Sequence, residues 1–479
     1  MKVRRRNLYN KNYIKMENRY ELVVIGGGPA GVTLAKRLGK KYKMAVIRPE
    51  DFSMIYCAMP YVIEDTIEMQ KCLKNDALVT ESGADLIRDE VQRVDFSNKT
   101  VIVKQGESIH YNKLIVATGA NPFIPPLEGT HLNGVMGFKT QTDLEKIHSF
   151  VNNGLKKAVV VGAGAIGMEL AQALKHKGLD VTLVDMAPQV LPNLVGGEFA
   201  QRASEELIRN DIHLMLNTRV MKLEGSEFVN EVHLDNGETI YLNDYSPCTG
   251  NDDSTIKGLV VFATGVVPAL SFVPENTLQV DRQGIVVNER METSYPDVYA
   301  VGDCAQYKSF ITGKITGGKL ATNAVPMARV LAENLLGGNA RYKGFINGAA
   351  TKVYNYYVGG TGLTAQRAIE EGYDILKGYS QLSTQFPIMP GQKELRVKLI
   401  AQKYTGKILG GQVFSGEPVT SLIDLISFAI QKEATVQDFI ELSYSSQPYQ
   451  SFYPAGNGLV MAAEKIQTQM EHFPEEVLV

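Results

Sequence analysis

Cys57 lies in the stretch Phe52-Ser53-Met54-Ile55-Tyr56-Cys57-Ala58-Met59-Pro60-Tyr61, between two glycine-rich runs at 26–31 and 162–167. A thiolate is the nucleophile that makes and breaks sulfur–sulfur bonds. A glycine-rich turn between a strand and a helix lets backbone N–H groups meet a pyrophosphate at the helix N-terminus. One thiol between two such turns implies electrons passing from one bound nucleotide to another and then to sulfur. The other cysteines are Cys72, Cys248 and Cys304. With no CxxC and no paired ligand spacing, no metal site is expected, and these three are read as reduced thiols of a cytosolic protein.

The elements that must position the first turn surround it. Leu22 to Ile25 reads as a buried strand, Val32 to Leu38 as a helix and Ala45 to Ile47 as the next strand. In Gly26-Gly27-Gly28-Pro29-Ala30-Gly31, Gly26 makes the turn, Gly28 admits the pyrophosphate and Gly31 packs helix on strand. Arg48 stands where an acid usually meets the ribose, so either Glu50 reaches the ribose or Arg48 contacts the adenine side. Leu114 to Ala120 is a strand entering a turn at Thr118-Gly119, and Ala-Thr-Gly recurs at 263–265. Two copies, each after its own fingerprint, argue for two similar nucleotide domains.

The second fingerprint is Gly162-Ala163-Gly164-Ala165-Ile166-Gly167, after a strand at Lys157 to Val161. Val181 to Val184 is the next strand and Asp185 closes it. An acid there accepts from both ribose hydroxyls of NADH and repels the 2′-phosphate of NADPH, so NADH is favoured. Gly265 belongs to the same site. Residues 243–257 read as a longer surface turn holding Cys248. Strand 297–301 runs into Gly302-Asp303, whose carboxylate is expected to bind a ribityl hydroxyl of a flavin. The first site is thus read as holding FAD and the second as holding NADH.

In their order and spacing these motifs resemble the pyridine nucleotide-disulfide oxidoreductases, over residues 20 to about 465. The pattern Ser53-x-x-x-Cys57-x-x-Pro60-Tyr61 is similar to the single-cysteine branch, coenzyme A-disulfide reductases above all. The resemblance implies an α/β fold: two Rossmann-like dinucleotide-binding domains and a C-terminal α+β dimerisation domain of a homodimer. Residues 1–19 would be a basic tail, 20–135 and 269–345 the FAD-binding parts, 136–268 the NAD-binding domain and 346–479 the interface domain. Two-cysteine members carry a second thiol where this chain has Val62, so Cys57 must take its partner from outside. Cys57 is expected at a helix N-terminus against the flavin, both lowering its pKa. The first glycine loop lacks the histidine of the peroxidases.

For a coenzyme A-type disulfide or persulfide, the resemblance points to Thr33, Arg37, Lys40, Ser53 and Tyr56 as contacts. It makes Tyr356 and Tyr444 the phenols that protonate a departing thiolate; interface packing is their alternative role. Val325-Pro326 replaces a polar or basic pair that relatives often carry, so other small disulfides stay open. An NADH oxidase reducing oxygen is the alternative within the class, and a non-enzymatic FAD/NADH sensor the alternative outside it.

Composition excludes other classes. The chain is 479 residues, 44% hydrophobic and 21% charged, with a net charge of -3, which points to neither nucleic acid nor membrane. The first 18 residues are basic and lack the apolar core of a signal peptide, so they form a tail or translation starts at Met16. Strand-like runs are expected at 352–357, 395–401 and 408–413, and helices at 419–431 and 435–442.

Overall fold

A computed structural model describes residues 18–242 and 258–472; most of the basic tail, the 243–257 turn and Cys248 lie outside the described residues. The first sheet is built on strand Arg19–Ile25, whose Leu22 to Ile25 run is buried on both faces. Such a run suits a central parallel strand. Met44–Arg48 and Ser108–Val116 flank it in parallel. Asp85–Arg88 extends the sheet on one side. Strand Val298–Ala300 returns beside Ser108–Val116, nearly two hundred residues later, bringing Asp303 back to the first nucleotide turn.

The second sheet is wholly parallel, in the order Val135–Gly137, Leu259–Phe262, Lys157–Val161, Asp180–Val184 and Ile212–Met215. An antiparallel ribbon of Ala120–Pro122 with Val266–Pro268 ties the two units together. The third sheet has five antiparallel strands, carrying helices Thr420–Gln431 and Gly458–Glu471. The two Rossmann-like units and the C-terminal α+β domain agree with the expected fold class.

One C-terminal expectation needs correction. Residues 352–357 are not one strand: Ala349–Val353 and Tyr356–Gly362 form a hairpin, and Tyr354 at its turn has φ 50°. Gln172 holds that turn, donating to the Lys352 carbonyl at 3.1 Å and accepting from the Tyr354 N–H at 2.7 Å. Strand Ile375–Ser383 and helix Gly458–Glu471 escape the sequence reading altogether. The helix start is nonetheless a side-chain cap: Asn457 accepts from the N–H groups of Leu459 and Val460. Among the described residues no helix is long and apolar enough to cross a membrane.

Candidate active site

The two fingerprint turns are built alike. Gly26 has φ 116° and Gly162 φ 111°, a region that strains any residue with a Cβ. A Cβ on Gly31 would stand 2.0 Å from the Gly26 carbonyl oxygen, and one on Gly167 would stand 1.8 Å from that of Gly162. Around Gly28 and Gly164, by contrast, a Cβ would meet nothing within 4 Å. Of the three fingerprint glycines in each turn, the first and last close helix on strand and the middle one, Gly28 or Gly164, faces open space, as a pyrophosphate cradle requires. Pro29 opens helix Pro29–Leu38, Ala30 is buried beneath it, and Ile166 stands exposed at the second cradle.

The Ala-Thr-Gly copies lace the two units reciprocally. Thr118 donates its hydroxyl to the Ala269 carbonyl at 2.8 Å, and Thr264 donates to the Phe123 carbonyl at 2.7 Å. The Ala269 N–H donates to Gly119 and the Phe123 N–H to Gly265. Gly119 and Gly265, both with positive φ, have open space where a side chain would be.

The strand ends differ. Asp185 accepts from the Ala163 N–H at 2.5 Å and from the Ala187 N–H at 2.7 Å, so the acid also braces the glycine turn. Arg48 is 2% exposed and is consumed by protein. It donates to the Glu50 and Asp51 carbonyls at 3.0 Å and pairs with Asp76, which also pairs with Arg88. Burial pulls the Arg48 pKa down, while the Glu50 carboxylate pulls it up. Of the two open readings, a guanidinium reaching out to the adenine side is the one this geometry disfavours. Glu50 is exposed.

Asp303 follows a turn at Gly302, where an added Cβ would lie 3.3 Å from that of Ala324 and 3.6 Å from that of Ala30. This turn thus sits over the first cradle. Two lysines that sequence reading missed stand close. Lys139 Nζ is 3.3 Å from the Asp303 carboxylate. Lys319 donates to the Gln283 and Ala305 carbonyls at 2.6 and 2.9 Å; burial lowers its pKa and Asp303 opposes that. Nothing in either sequence neighbourhood marks these lysines.

Cys57 occupies the junction of the two units. Strand Ser53–Met54 leaves the first sheet's rim and pairs with Leu73–Lys74. A one-turn 3-10 helix, Tyr56–Ala58, holds the exposed Cys57. Helix Met59–Ile63 follows and packs on Ala165–His176, the helix of the second fingerprint. Met54, Met59, Val62 and Ile63 share one core with Met168, Leu170, Ala171 and Leu174. Asp65 reinforces the docking through Lys177. Cys57 stands at a helix N-terminus as expected, one residue before the cap Ala58, but the helix has only five residues. A helix this short offers little macrodipole, because few peptide dipoles align.

The neighbours of Cys57 are Tyr61, one helical turn on, and Cys72. Burial first, then Glu169, Glu64 and Cys57, push the Tyr61 phenol up to about 12. Glu169, on the second fingerprint helix, accepts from the Thr351 hydroxyl at 2.6 Å; burial raises its pKa and that hydrogen bond resists. Tyr56 lies near Glu50 and Arg48: burial and then Glu50 raise its phenol, and Arg48 lowers it. Of the other expected substrate contacts, Arg37 and Lys40 are exposed, Ser53 is buried, and Thr33 returns its hydroxyl to the Pro29 carbonyl at 2.7 Å. Tyr356 stacks on Phe414 at 5.0 Å, and Tyr444 donates to the Pro454 carbonyl at 2.6 Å. Tyr356 also packs against the core that takes Met54 and Met59, while the Tyr444 hydroxyl is taken up within the C-terminal domain.

Residues 20–328 match the family Pyridine nucleotide-disulphide oxidoreductase, and residues 349–451 match its dimerisation domain. The chain belongs to the pyridine nucleotide-disulphide oxidoreductases. A protein named NADH oxidase from Methanocaldococcus jannaschii is 34% identical over 446 residues, 89% of this chain and 94% of that one. The NAD(P)H coenzyme A polysulfide/persulfide reductase of Pyrococcus horikoshii is 30% identical over 459 residues, 93% of this chain and 98% of that one. Among solved structures, an NAD-dependent persulfide reductase from A. fulgidus superposes with TM-score 0.86 at 28% identity, covering 94% of this chain and 83% of the other. As a member of this family the chain is an FAD-dependent oxidoreductase, consistent with its two cradles.

Proposed function

We propose that this oxidoreductase uses NADH to reduce a low-molecular-weight disulfide or persulfide of the coenzyme A type, with Cys57 as its one externally reacting sulfur. The observation that carries this is the position of Cys57: exposed, on a turn wedged between the two dinucleotide units. Gly26, Gly28, Pro29, Ala30, Gly31, Glu50, Thr118, Gly119 and Asp303 would hold FAD, with Arg48 shaping that site from beneath. Gly162, Gly164, Ile166, Gly167, Asp185 and Gly265 would hold NADH, and the Asp185 carboxylate would reject a 2′-phosphate. When bound, the flavin supplies the two-electron exchange between nicotinamide and sulfur.

The chain's own chemistry is thiol–disulfide exchange. The Cys57 thiolate attacks one sulfur of R–S–S–R, forming a Cys57–S–S–R mixed disulfide and expelling a thiolate. Two-electron reduction of that bond releases the second thiol and restores the Cys57 thiolate. Arg37 and Lys40, exposed on the first helix, would attract substrate phosphates, with Thr33, Ser53 and Tyr56 lining the approach. The departing thiolates need protons. In a homodimer Tyr356 and Tyr444 would supply them to the other copy. The dimerisation-domain match supports that assembly.

The second reading, an NADH oxidase, is favoured by the name of the Methanocaldococcus relative. The two are separated by supplying NADH without oxygen and then adding coenzyme A disulfide or coenzyme A persulfide. Release of free thiol supports the reductase; flavin reoxidation only on admitting air supports the oxidase.

A further inference from the structure

Cys72 lies fifteen positions after Cys57, and no spacing in the sequence connects them. The fold does. The Ile55 N–H donates to the Cys72 carbonyl at 2.8 Å, continuing the ladder that pairs Met54 with Leu73 and Ser53 with Lys74. Ile55 is therefore opposite Cys72, and Cys57 is two residues further on. Consecutive Cα atoms are about 3.8 Å apart, so the two cysteines are separated by little more than one ladder rung and one short turn. Cys72 is fully buried in the core that also takes Met54, three residues before Cys57, and Met59, two after it. The Cys57 charge is felt there: burial first, then Cys57, raises the Cys72 thiol pKa. A buried thiol is thus held one ladder rung and one short turn from Cys57. The segment between them closes on a two-rung ribbon at its base and is docked through helix Met59–Ile63, so closing the bond calls for movement of the Tyr56–Ala58 turn rather than of the core.

We propose that Cys72 is a second redox thiol, which resolves oxidised Cys57 by closing a Cys57–Cys72 disulfide when no small thiol is at hand. From the mixed disulfide, the Cys72 sulfur attacks the Cys57 sulfur, the Cys57–S–S–R bond breaks, and R–SH leaves with the proton that Cys72 gives up. From a Cys57 sulfenic acid, formed by peroxide, the same attack expels water. In both cases Cys57 stays at the disulfide level, and two electrons from NADH with two protons reopen the bond. The role is protective: it stops Cys57 short of sulfinic acid, which does not revert. This inference rests on the proposed reactivity of Cys57.

The test uses the full chain with its cofactor. It is exposed without oxygen or free thiol to hydrogen peroxide or to coenzyme A disulfide. Remaining thiols are blocked with N-ethylmaleimide and peptides are mapped without reduction. The expected result is a peptide pair joined through Cys57 and Cys72, abolished by dithiothreitol. In Cys72→Ala, Cys57 should instead retain the coenzyme A adduct. Repeated peroxide should add about 32 Da as sulfinic acid, with recoverable activity lost roughly tenfold faster than in the wild type. Oxidised Cys57 without linkage to Cys72 in the wild-type protein overturns the inference and leaves the reductase reading standing. A Cys57 that neither oxidant touches overturns both. The wild-type map does not depend on the variant folding well.

Discussion

The two dinucleotide cradles share one backbone and differ in what backs it. In both, the first and last glycines close helix on strand and the middle one faces open space. Behind the second cradle stands Asp185, whose carboxylate takes the Ala163 N–H. Behind the first stands Arg48, whose side chain lies so close that a Cβ on Gly27 would be 2.5 Å from its Cδ. The turn geometry is fixed by main-chain crowding, whereas the residue behind it is free to set chemistry. An acid leaves oxygen lone pairs for a ribose. A buried arginine, paired with Asp76 and bonded to two carbonyls, fills volume and directs those bonds to protein rather than to a ribose.

The largest expected effect sharpens the shared part. Gly31→Ala and Gly167→Ala press a Cβ on main-chain oxygen and should cost about 3 kcal/mol or more, seen as a lowered melting temperature with loss of the matching nucleotide. Gly28→Ala and Gly164→Ala should leave melting unchanged and weaken only the nucleotide; equal melting losses would break the comparison.

Next in size, Asp185→Ala should weaken NADH about 10- to 100-fold, the worth of hydrogen bonds to a charged group, and NADPH far less, measured by fluorescence titration. Equal losses would mean that Asp185 only braces the turn. A third effect couples Gly27 to Arg48. Gly27→Ala alone should destabilise, and Arg48→Ala should relieve part of that in the double variant, with a coupling of about 1 kcal/mol in a denaturant cycle.

The smallest effect concerns Glu169, which burial keeps protonated to higher pH than in the unfolded chain. The folded state then binds more protons, so the stability this carboxyl contributes is present below the ordinary value of 4.5 and falls as pH rises through its raised value. Glu169→Gln should flatten that fall, with a difference under about 1 kcal/mol in urea melts between pH 4 and 8.

Local signals were legible and remote pairings were not. The glycine turns, the Ala-Thr-Gly copies and the Cys57 stretch are each contiguous, and each fingerprint element lies within two or three residues of its expected place. The strand end before Asp303 was legible from its Gly-Asp turn. The partner of Arg48 was not: Asp76 lies across a loop, and neither residue's type names the other. Cys72 became a neighbour of Cys57 only through strands of two residues each, too short for any alternation to show. The Tyr354 turn reads as strand because its flanks are β-formers, while the turn is held by Gln172, on another domain.

The central claim is that Cys57 carries electrons to an external sulfur. The most direct measurement follows thiol release when NADH and then coenzyme A disulfide are added without oxygen, for the wild type and for Cys57→Ser, with the flavin spectrum recorded alongside. The wild type should release a pair of thiols for each NADH consumed, and Cys57→Ser should hold reduced flavin and release none. Thiol release at the same rate from Cys57→Ser would contradict the claim.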